Sequence, residues 1–119
     1  MPGVSRSGHN LLMTKRGSRL PLQAEYHDGV VEAIELGPRR EIVLTVRLDP
    51  VWNNGDGTTR RLHFSAIQNF DEVSGFFGRA TPDYIDEILG IVHVAKGVIG
   101  IELDHLGYVE LRGAKFREV

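Results

Sequence analysis

The sequence predicts a mainly β domain of the α+β class: an antiparallel sheet of about six to seven strands, curled into a roll or a sandwich, with one short helix near residues 82–89. Two observations carry this prediction. Apolar residues alternate with polar ones in several short segments, which is the period of a strand that buries one face. Glycine, asparagine and proline separate these segments at short intervals, as the turns of an antiparallel sheet require.

The first two predicted strands form a hairpin. Alternation is clearest from Glu41 to Leu48, where every second residue is apolar. Gly37-Pro38 separates this segment from an earlier strand over residues 30–36, and both residues break regular structure. Asp49-Pro50 ends the second strand, because proline has no amide proton to donate to the ladder.

A polar turn and further strands follow. Asn53 to Gly57 contains the residue types that accept the positive φ of a tight reversal. Residues 60–66 alternate again and predict the third strand. Residues 67–73 are predicted to continue that strand or to restart it.

The helix near 82–89 is predicted from its start and stop signals. Thr81-Pro82 supplies an N-cap and a proline at the first helical position, and Gly90 follows the short apolar stripe. Strands are then predicted at residues 91–95, 98–104 and 108–112, the last two joined by a turn at His105 to Gly107.

The chain divides into two regions by composition. Residues 1–22 are rich in glycine and serine and show no period, so we expect a disordered or loosely ordered basic tail. Residues 23–119 have a size and composition that fit a single domain. Residues 25–119 hold ten basic and sixteen acidic residues, and a body with this sign makes nucleic-acid binding unlikely, because phosphates repel it. We expect a basic protein partner instead.

Composition also limits the chemistry and the compartment. There is no cysteine, which excludes disulfides, thiolate catalysis and cysteine-ligated zinc and suits a reducing cytoplasm. No apolar run approaches the roughly 18 residues of a membrane span. The apolar patch Leu11-Leu12-Met13 is too short for a signal peptide. We therefore expect a cytoplasmic protein of bacterial type with no membrane association.

Tyr26-His27-Asp28-Gly29 immediately precedes the first strand and is the main candidate for function. A His-Asp pair can orient an imidazole or bind a metal, but adjacent strand residues point to opposite faces unless the chain bends, which Gly29 would allow. The alternative is that Asp28 bonds backbone at a turn while His27 packs at the sheet edge. A metal or small-ligand site would need His27, Asp28, His63 and His93 to converge.

We find no catalytic or cofactor signature. Hydrolase elbows, phosphate-binding loops and dinucleotide fingerprints are absent from the sequence. The carboxylates lie mostly on predicted outward faces, so we predict no catalytic residues, no cofactor and no metal. Trp52 and the pair Phe76-Phe77 stand outside the predicted strands. They are candidates for interaction anchors or, alternatively, for closing one end of the core.

The order of motifs resembles that of small bacterial immunity-protein-like domains, including the immunity protein 50 family of polymorphic-toxin systems. The resemblance covers residues 26 to about 112 and rests on Tyr26-His27-Asp28, Glu41 to Leu48, Leu62-His63-Phe64, and Ile101 to Glu110. Tyr26 departs from the commoner leucine, and the tail has no counterpart in the family. The resemblance implies a non-enzymatic binding domain that neutralises a toxin.

Two functional hypotheses follow. The first is a bacterial, non-enzymatic protein-interaction domain of the immunity type, with a basic toxin as partner. Strand edges such as residues 60–66 or the C-terminal hairpin could also pair between copies and give a homodimer. The second is a small-ligand or metal-binding β domain with its site at the histidines.

Overall fold

The computed structural model describes residues 18–80 and 86–119 and confirms the predicted fold class. Within them, one antiparallel sheet contains seven strands of four to ten residues and a further two-residue strand, with one α-helix and one 3₁₀ turn. The elements are β1 Ser18–Arg19, β2 Val30–Gly37, β3 Glu41–Arg47, the 3₁₀ turn Pro50–Trp52, β4 Thr59–Ser65, α1 Phe70–Phe77, β5 Asp86–Ala95, β6 Val98–Leu103, β7 Gly107–Arg112 and β8 Lys115–Glu118.

The strand order is β7-β6-β5-β2-β3-β4-β8, with β1 paired to β5. The sheet has two halves, because β2 and β5 share only the pairs Val30–Glu87 and Val31–Asp86. The half β2-β3-β4-β8 and the half β5-β6-β7 contribute buried residues to the same core. The sheet therefore curls around a single core, which the alternating apolar residues fill.

The alternation predicted for the strands is confirmed where it was clearest. Ile42, Leu44 and Val46 of β3 are fully buried, and their cross-strand neighbours Leu62 and Phe64 of β4 are buried with them. Intervening residues face the outer surface of the sheet, as the period of two requires. The buried apolar residues of β6 and β7 also alternate, namely Ile99, Ile101, Leu103, Val109 and Leu111, although the intervening Gly100 and Glu102 of β6 are buried as well.

The helix predicted near residues 82–89 is wrong over residues 86–89. Residues 86–89 belong to β5, and residues 81–85 lie outside the described part of the chain. Asp86 is 1% exposed, and its carboxylate accepts from the amides of His105 and Leu106, which anchors the start of β5 to the β6–β7 turn. Long-range hydrogen bonds and pairing with β6 thus override the local helix signals.

The observed helix, α1, begins where a strand was predicted to continue. Val73 and Phe77 form its buried face. The Asn69 side chain at its start donates to the carbonyl of Glu110 (2.8 Å) and accepts from the amide of Arg112 (2.9 Å) instead of capping the helix. Contacts with β7 therefore hold α1 in place, which a reading of local propensity does not reveal.

The predicted tail falls partly outside the described residues. Residues 1–17 are not described. Beyond them, Ser18 and Arg19 pair with His93 and Val92 of β5, and Leu20 is buried in the core. The expectation of a loose tail is thus wrong for residues 18–20, because Ser18 and Arg19 pair with β5 and Leu20 is buried.

The strand over residues 60–66 is not an edge. It corresponds to β4, which pairs with β3 on one side and with β8 on the other. The described edges are β7 and β8, and the outer side of β7 is already bonded to the segment before α1. Among the described residues no helix is long and apolar enough to cross a membrane.

Candidate interaction site at Trp52

The segment from Tyr26 to Gly29 is a tight turn bound to β5. The amide of Gly29 donates to the carbonyl of Tyr26 (2.9 Å), the amide of Asp28 to the carbonyl of Ile88 (2.8 Å), and the amide of Ile88 to the carbonyl of Gly29 (2.9 Å). Asp28 has φ +63°, in the left-handed region that aspartate tolerates better than most residues. A Cβ on Gly29 would lie 2.7 Å from the Val46 side chain, so only glycine fits.

The bend brings His27 and Asp28 to the same side of the chain, where they meet Trp52. Nε2 of His27 lies 3.5 Å from Oδ1 of Asp28. The indole Nε1–H of Trp52 donates to Oδ2 of Asp28 at 2.9 Å. The His27 and Trp52 rings meet edge to face, with their centroids 5.1 Å apart. The structure thus joins two sequence candidates, the His-Asp pair and Trp52, in one cluster.

Both ring nitrogens of His27 face groups of the protein. Nδ1 lies 3.0 Å from the carbonyl oxygen of Leu89, which can only accept, so Nδ1 carries the proton. Nε2 faces the Asp28 carboxylate. This arrangement fixes the ring as a support for Trp52, whereas a general base directs one nitrogen at its substrate.

Asn53 attaches the loop of Trp52 to the segment over residues 20–27, which we call the lead-in segment. The amide of Glu25 donates to Oδ1 of Asn53 (2.9 Å), and Nδ2 of Asn53 donates to the carbonyls of Glu25 and Asp49, each at 2.9 Å. Asp49 caps the 3₁₀ turn by accepting from the amide of Val51 (2.9 Å). The loop is therefore held at both its start and its end.

The turn presents two large apolar side chains to solvent. Val51 is 81% exposed and Trp52 is 50% exposed. Trp52 lines a cleft of about 380 Å³ between its loop and the lead-in segment, together with Glu25, Asp56 and Arg60. A neighbouring cleft of about 250 Å³ runs past His27 to Leu20 and Ile91.

Carboxylates surround the apolar pair. Asp28 bonds the indole, Asp49 caps the turn, and Glu25 and Asp56 line the cleft. Hydrogen bonds from the Thr58 hydroxyl and amide lower the pKa of Asp56 and keep it ionised. The described basic group that lines this cleft is Arg60, which is already 3.4 Å from Asp56.

A second network holds the lead-in segment to the last strand. The Glu118 carboxylate accepts from the amides of Gln23 (2.7 Å) and Ala24 (3.1 Å) and from the hydroxyl of Tyr26 (2.7 Å). Burial alone would raise the pKa of Glu118, but these bonds and the charge of Arg60 outweigh it, and the pKa lies below its usual value. Burial and the bond to Glu118 raise the pKa of Tyr26, which remains a neutral donor.

His63 and His93 do not join His27. His63 lines a different cleft, on the outer face of β4 and β8, and the ring of His93 packs edge to face on Phe116 at 6.3 Å. Across residues 18–80 and 86–119, no three histidines or acids are placed to hold one metal ion. The four-residue site of the second hypothesis is therefore not assembled there.

The two phenylalanine candidates differ in position. Phe77 is 2% exposed and belongs to the core, so it is not available to a partner. Phe76 packs partly against the same core and lies under the Arg79 guanidinium, 4.8 Å from the ring centroid. Of the three proposed interaction residues, Trp52 is the one that stands at the surface.

Several residues of the site were not predicted, namely Glu25, Asp49, Val51 and Asn53. Asp49-Pro50 carried a usable signal, since an acidic N-cap followed by proline is typical of a helical start. The contact of Asn53 with Glu25 spans 28 positions and leaves no local signal. Comparisons with protein-family models, curated proteins and solved structures found no match to this chain.

Proposed function

We propose that this chain is a bacterial, non-enzymatic protein-interaction domain that binds a basic partner protein through Val51 and Trp52. The observation that carries the proposal is the exposure of these two neighbouring apolar side chains on a turn fixed by hydrogen bonds. Tryptophan is enriched among the residues that dominate binding energy at protein interfaces.

Rigidity supports this role. The indole is fixed by Asp28 and by the ring of His27, and Asn53 fixes the backbone of its loop. A side chain already held in one conformation loses little entropy on binding, so more of its contact energy appears as affinity. The bonds around Trp52 therefore prepare it as an anchor.

Charge indicates the kind of partner. The carboxylates of Glu25, Asp28, Asp49 and Asp56 lie around the anchor, and residues 25–119 carry six more acidic than basic groups. Complementary potentials accelerate association and disfavour wrong partners. A partner with an apolar pocket rimmed by lysine and arginine fits this surface.

Toxin neutralisation is the specific role within this proposal. It is supported by the resemblance of residues 26 to about 112 to immunity-protein-like domains and by the acidic surface. Proteins that act on nucleic acids present basic surfaces to the phosphate backbone. An acidic domain with an aromatic anchor has the chemistry to cover such a surface, and we place it in the bacterial cytoplasm.

The test uses the product of a neighbouring toxin-like gene as the partner. Trp52→Ala is expected to weaken binding about 30-fold or more, because truncation of an interface hot spot costs about 2 kcal/mol or more. The matched control is Leu36→Ala, which truncates an apolar side chain of similar exposure at the far end of β2. Isothermal titration calorimetry gives both affinities, and rescue of growth on co-expression with the toxin gives the activity.

Equal affinities for the wild type and Trp52→Ala would show that the partner does not bind at this turn. A Leu36→Ala variant that loses as much affinity as Trp52→Ala would move the interface to the β2–β3 hairpin. Either result overturns the proposed site.

A further inference from the structure

Four polar side chains form a two-by-two patch on the outer face of β4 and β8. His63 lies directly opposite Arg117, and Ser65 lies directly opposite Lys115. The residue between His63 and Ser65, Phe64, is buried, so alternation turns these four side chains outward. Opposed residues have Cβ atoms about 5 Å apart, and successive residues on one face about 7 Å apart. The four side chains can therefore reach one small group.

Among the described residues, the basic side chains of this patch have no acidic partner. Elsewhere on the outer face of this half, Arg47 pairs with Glu32 at 3.0 Å, and Arg61 approaches Glu35 at 4.0 Å. Within the described part of the chain, Lys115 and Arg117 make no ion pair. Lys115 and Arg117 lie two positions apart on the same face of β8, so their like charges repel each other across about 7 Å, and a bound anion would relieve this repulsion.

One carboxylate, that of Glu41, borders the patch. Its Oε1 lies 3.1 Å from the point where a Cβ on Gly37 would stand, and Gly37 is its cross-strand partner on β2. The carboxylate therefore leans toward β2, on the side opposite to β4 and β8. It sits at the rim without neutralising Lys115 or Arg117.

The patch lies in a cleft of about 470 Å³ that Phe116 also lines. This volume is within the range of small-ligand sites. We propose that the cleft binds the phosphate group of a small phosphate monoester. Arg117 supplies a planar fork that matches two phosphate oxygens, Lys115 a point charge, and Ser65 and His63 further hydrogen-bond donors.

A small ligand fits this cleft better than a nucleic acid. The patch extends over only two positions on each strand, whereas a nucleic-acid surface follows the backbone over several phosphates. The net charge of residues 25–119 is also negative, which disfavours a polyanion. A single phosphate group needs only the local charge of Lys115 and Arg117.

The test is titration of the full chain with phenyl phosphate and with inorganic phosphate, at constant ionic strength set by sodium chloride. We expect saturable binding by calorimetry, with NMR amide shifts confined to residues around His63, Ser65, Lys115 and Arg117. Arg117→Gln should weaken binding of both probes about tenfold or more, because a charge-assisted hydrogen bond is lost. Glu41→Gln should tighten it, because it removes the carboxylate at the rim.

Lys96→Gln is the matched control, since it removes an exposed lysine from the β5–β6 turn and changes the net charge equally. Binding to this variant should equal that of the wild type. An equal loss in Lys96→Gln and Arg117→Gln, or shifts spread over all basic residues, would overturn the proposal. Tighter binding of a short single-stranded oligonucleotide at the same residues would overturn the small-ligand assignment. These outcomes are independent of the proposal for Trp52, which uses another surface.

Discussion

The indole Nε1–H of Trp52 donates to the carboxylate of Asp28 across 2.9 Å, joining residues 24 positions apart in the sequence. Asp28 can accept this bond only because its backbone adopts φ +63° and turns the side chain beside His27. The conformation of one aspartate thus sets the orientation of the exposed tryptophan. This relationship gives the first prediction.

Three substitutions at Asp28 separate its two roles, which are to adopt the positive φ of the turn and to accept the hydrogen bond from Trp52. Asp28→Asn keeps an acceptor and tolerates the left-handed region, so we expect a change in the free energy of unfolding below about 0.5 kcal/mol. Asp28→Gly keeps the backbone conformation and loses the bond to the indole. Asp28→Ala loses both and should destabilise the fold by about 1–3 kcal/mol. Urea denaturation gives the stabilities, and the tryptophan emission maximum reports the indole environment.

The order Asn, Gly, Ala in increasing destabilisation is the expected result. If Asp28→Ala and Asp28→Gly were equally stable, the positive φ at this position would cost an alanine no free energy. If the emission maximum did not change in Asp28→Gly, the bond to Trp52 would not form in solution.

Acid should weaken the contact between the last strand and the lead-in segment. The pKa of Glu118 in the folded state lies below its usual value, so its bonds stabilise the fold fully above the pKa of the unfolded chain, about 4.3. That contribution is lost as the pH falls through this value toward the lower folded pKa. We expect the free energy of unfolding of Glu118→Gln to lie below that of the wild type by about 1–3 kcal/mol at pH 7. This difference in stability should become smaller in acid.

The measurement is urea unfolding of both proteins between about pH 3 and pH 7. Tyr26→Phe is the matched variant, because it removes one of the three bonds to Glu118 and keeps the buried ring. Tyr26→Phe should lose less stability at pH 7 than Glu118→Gln does. A gap for Glu118→Gln that stays constant down to about pH 3 would contradict the lowered pKa.

Ala66 offers a simple stabilising substitution. This exposed alanine follows β4 with φ +56°, a conformation that costs an L-residue about 1–2 kcal/mol. Ala66→Gly removes that strain. Glycine also gives the unfolded chain more conformational freedom, which lowers the free energy of unfolding by about 0.5–1 kcal/mol. The net effect on the free energy of unfolding should be between zero and about 1 kcal/mol of stabilisation, measured by thermal and urea denaturation.

Ala33→Gly serves as the comparison, because Ala33 is also exposed but lies in β2 outside the left-handed region. It should destabilise by about 0.5–1 kcal/mol, since glycine weakens a strand. The prediction fails if both variants lose stability to the same extent.

Asn69 is expected to protect the edge of β7. Its side chain occupies the carbonyl of Glu110 and the amide of Arg112, which would otherwise be open to another strand. Asn69→Ala should free these groups, destabilise the fold by about 1–3 kcal/mol and promote pairing between copies through β7. Analytical ultracentrifugation at several concentrations measures the association. An Asn54→Gly control, in the exposed polar turn, tolerates the positive φ of this position and should leave the assembly state unchanged.

The sequence determined the class of the fold, because a period of two needs no knowledge of partners. Alternation over Glu41 to Leu48 required one face of β3 to be buried, and the glycine and asparagine turns placed the reversals. Burial of Ile42, Leu44 and Val46 follows directly from that pattern. It also singled out Trp52 and the His27-Asp28 pair separately, by residue type and position.

Only the tertiary structure decided where the helix lies and how the site is built. Thr81-Pro82 predicted a helix that the buried carboxylate of Asp86 and pairing with β6 exclude over residues 86–89, while α1 depends on Asn69 contacting β7. The cluster of His27, Asp28 and Trp52 likewise depends on hydrogen bonds between distant segments. Local patterns report which face of a segment is buried, but long-range hydrogen bonds select the conformation when local signals compete, and those bonds exist only once the chain has folded.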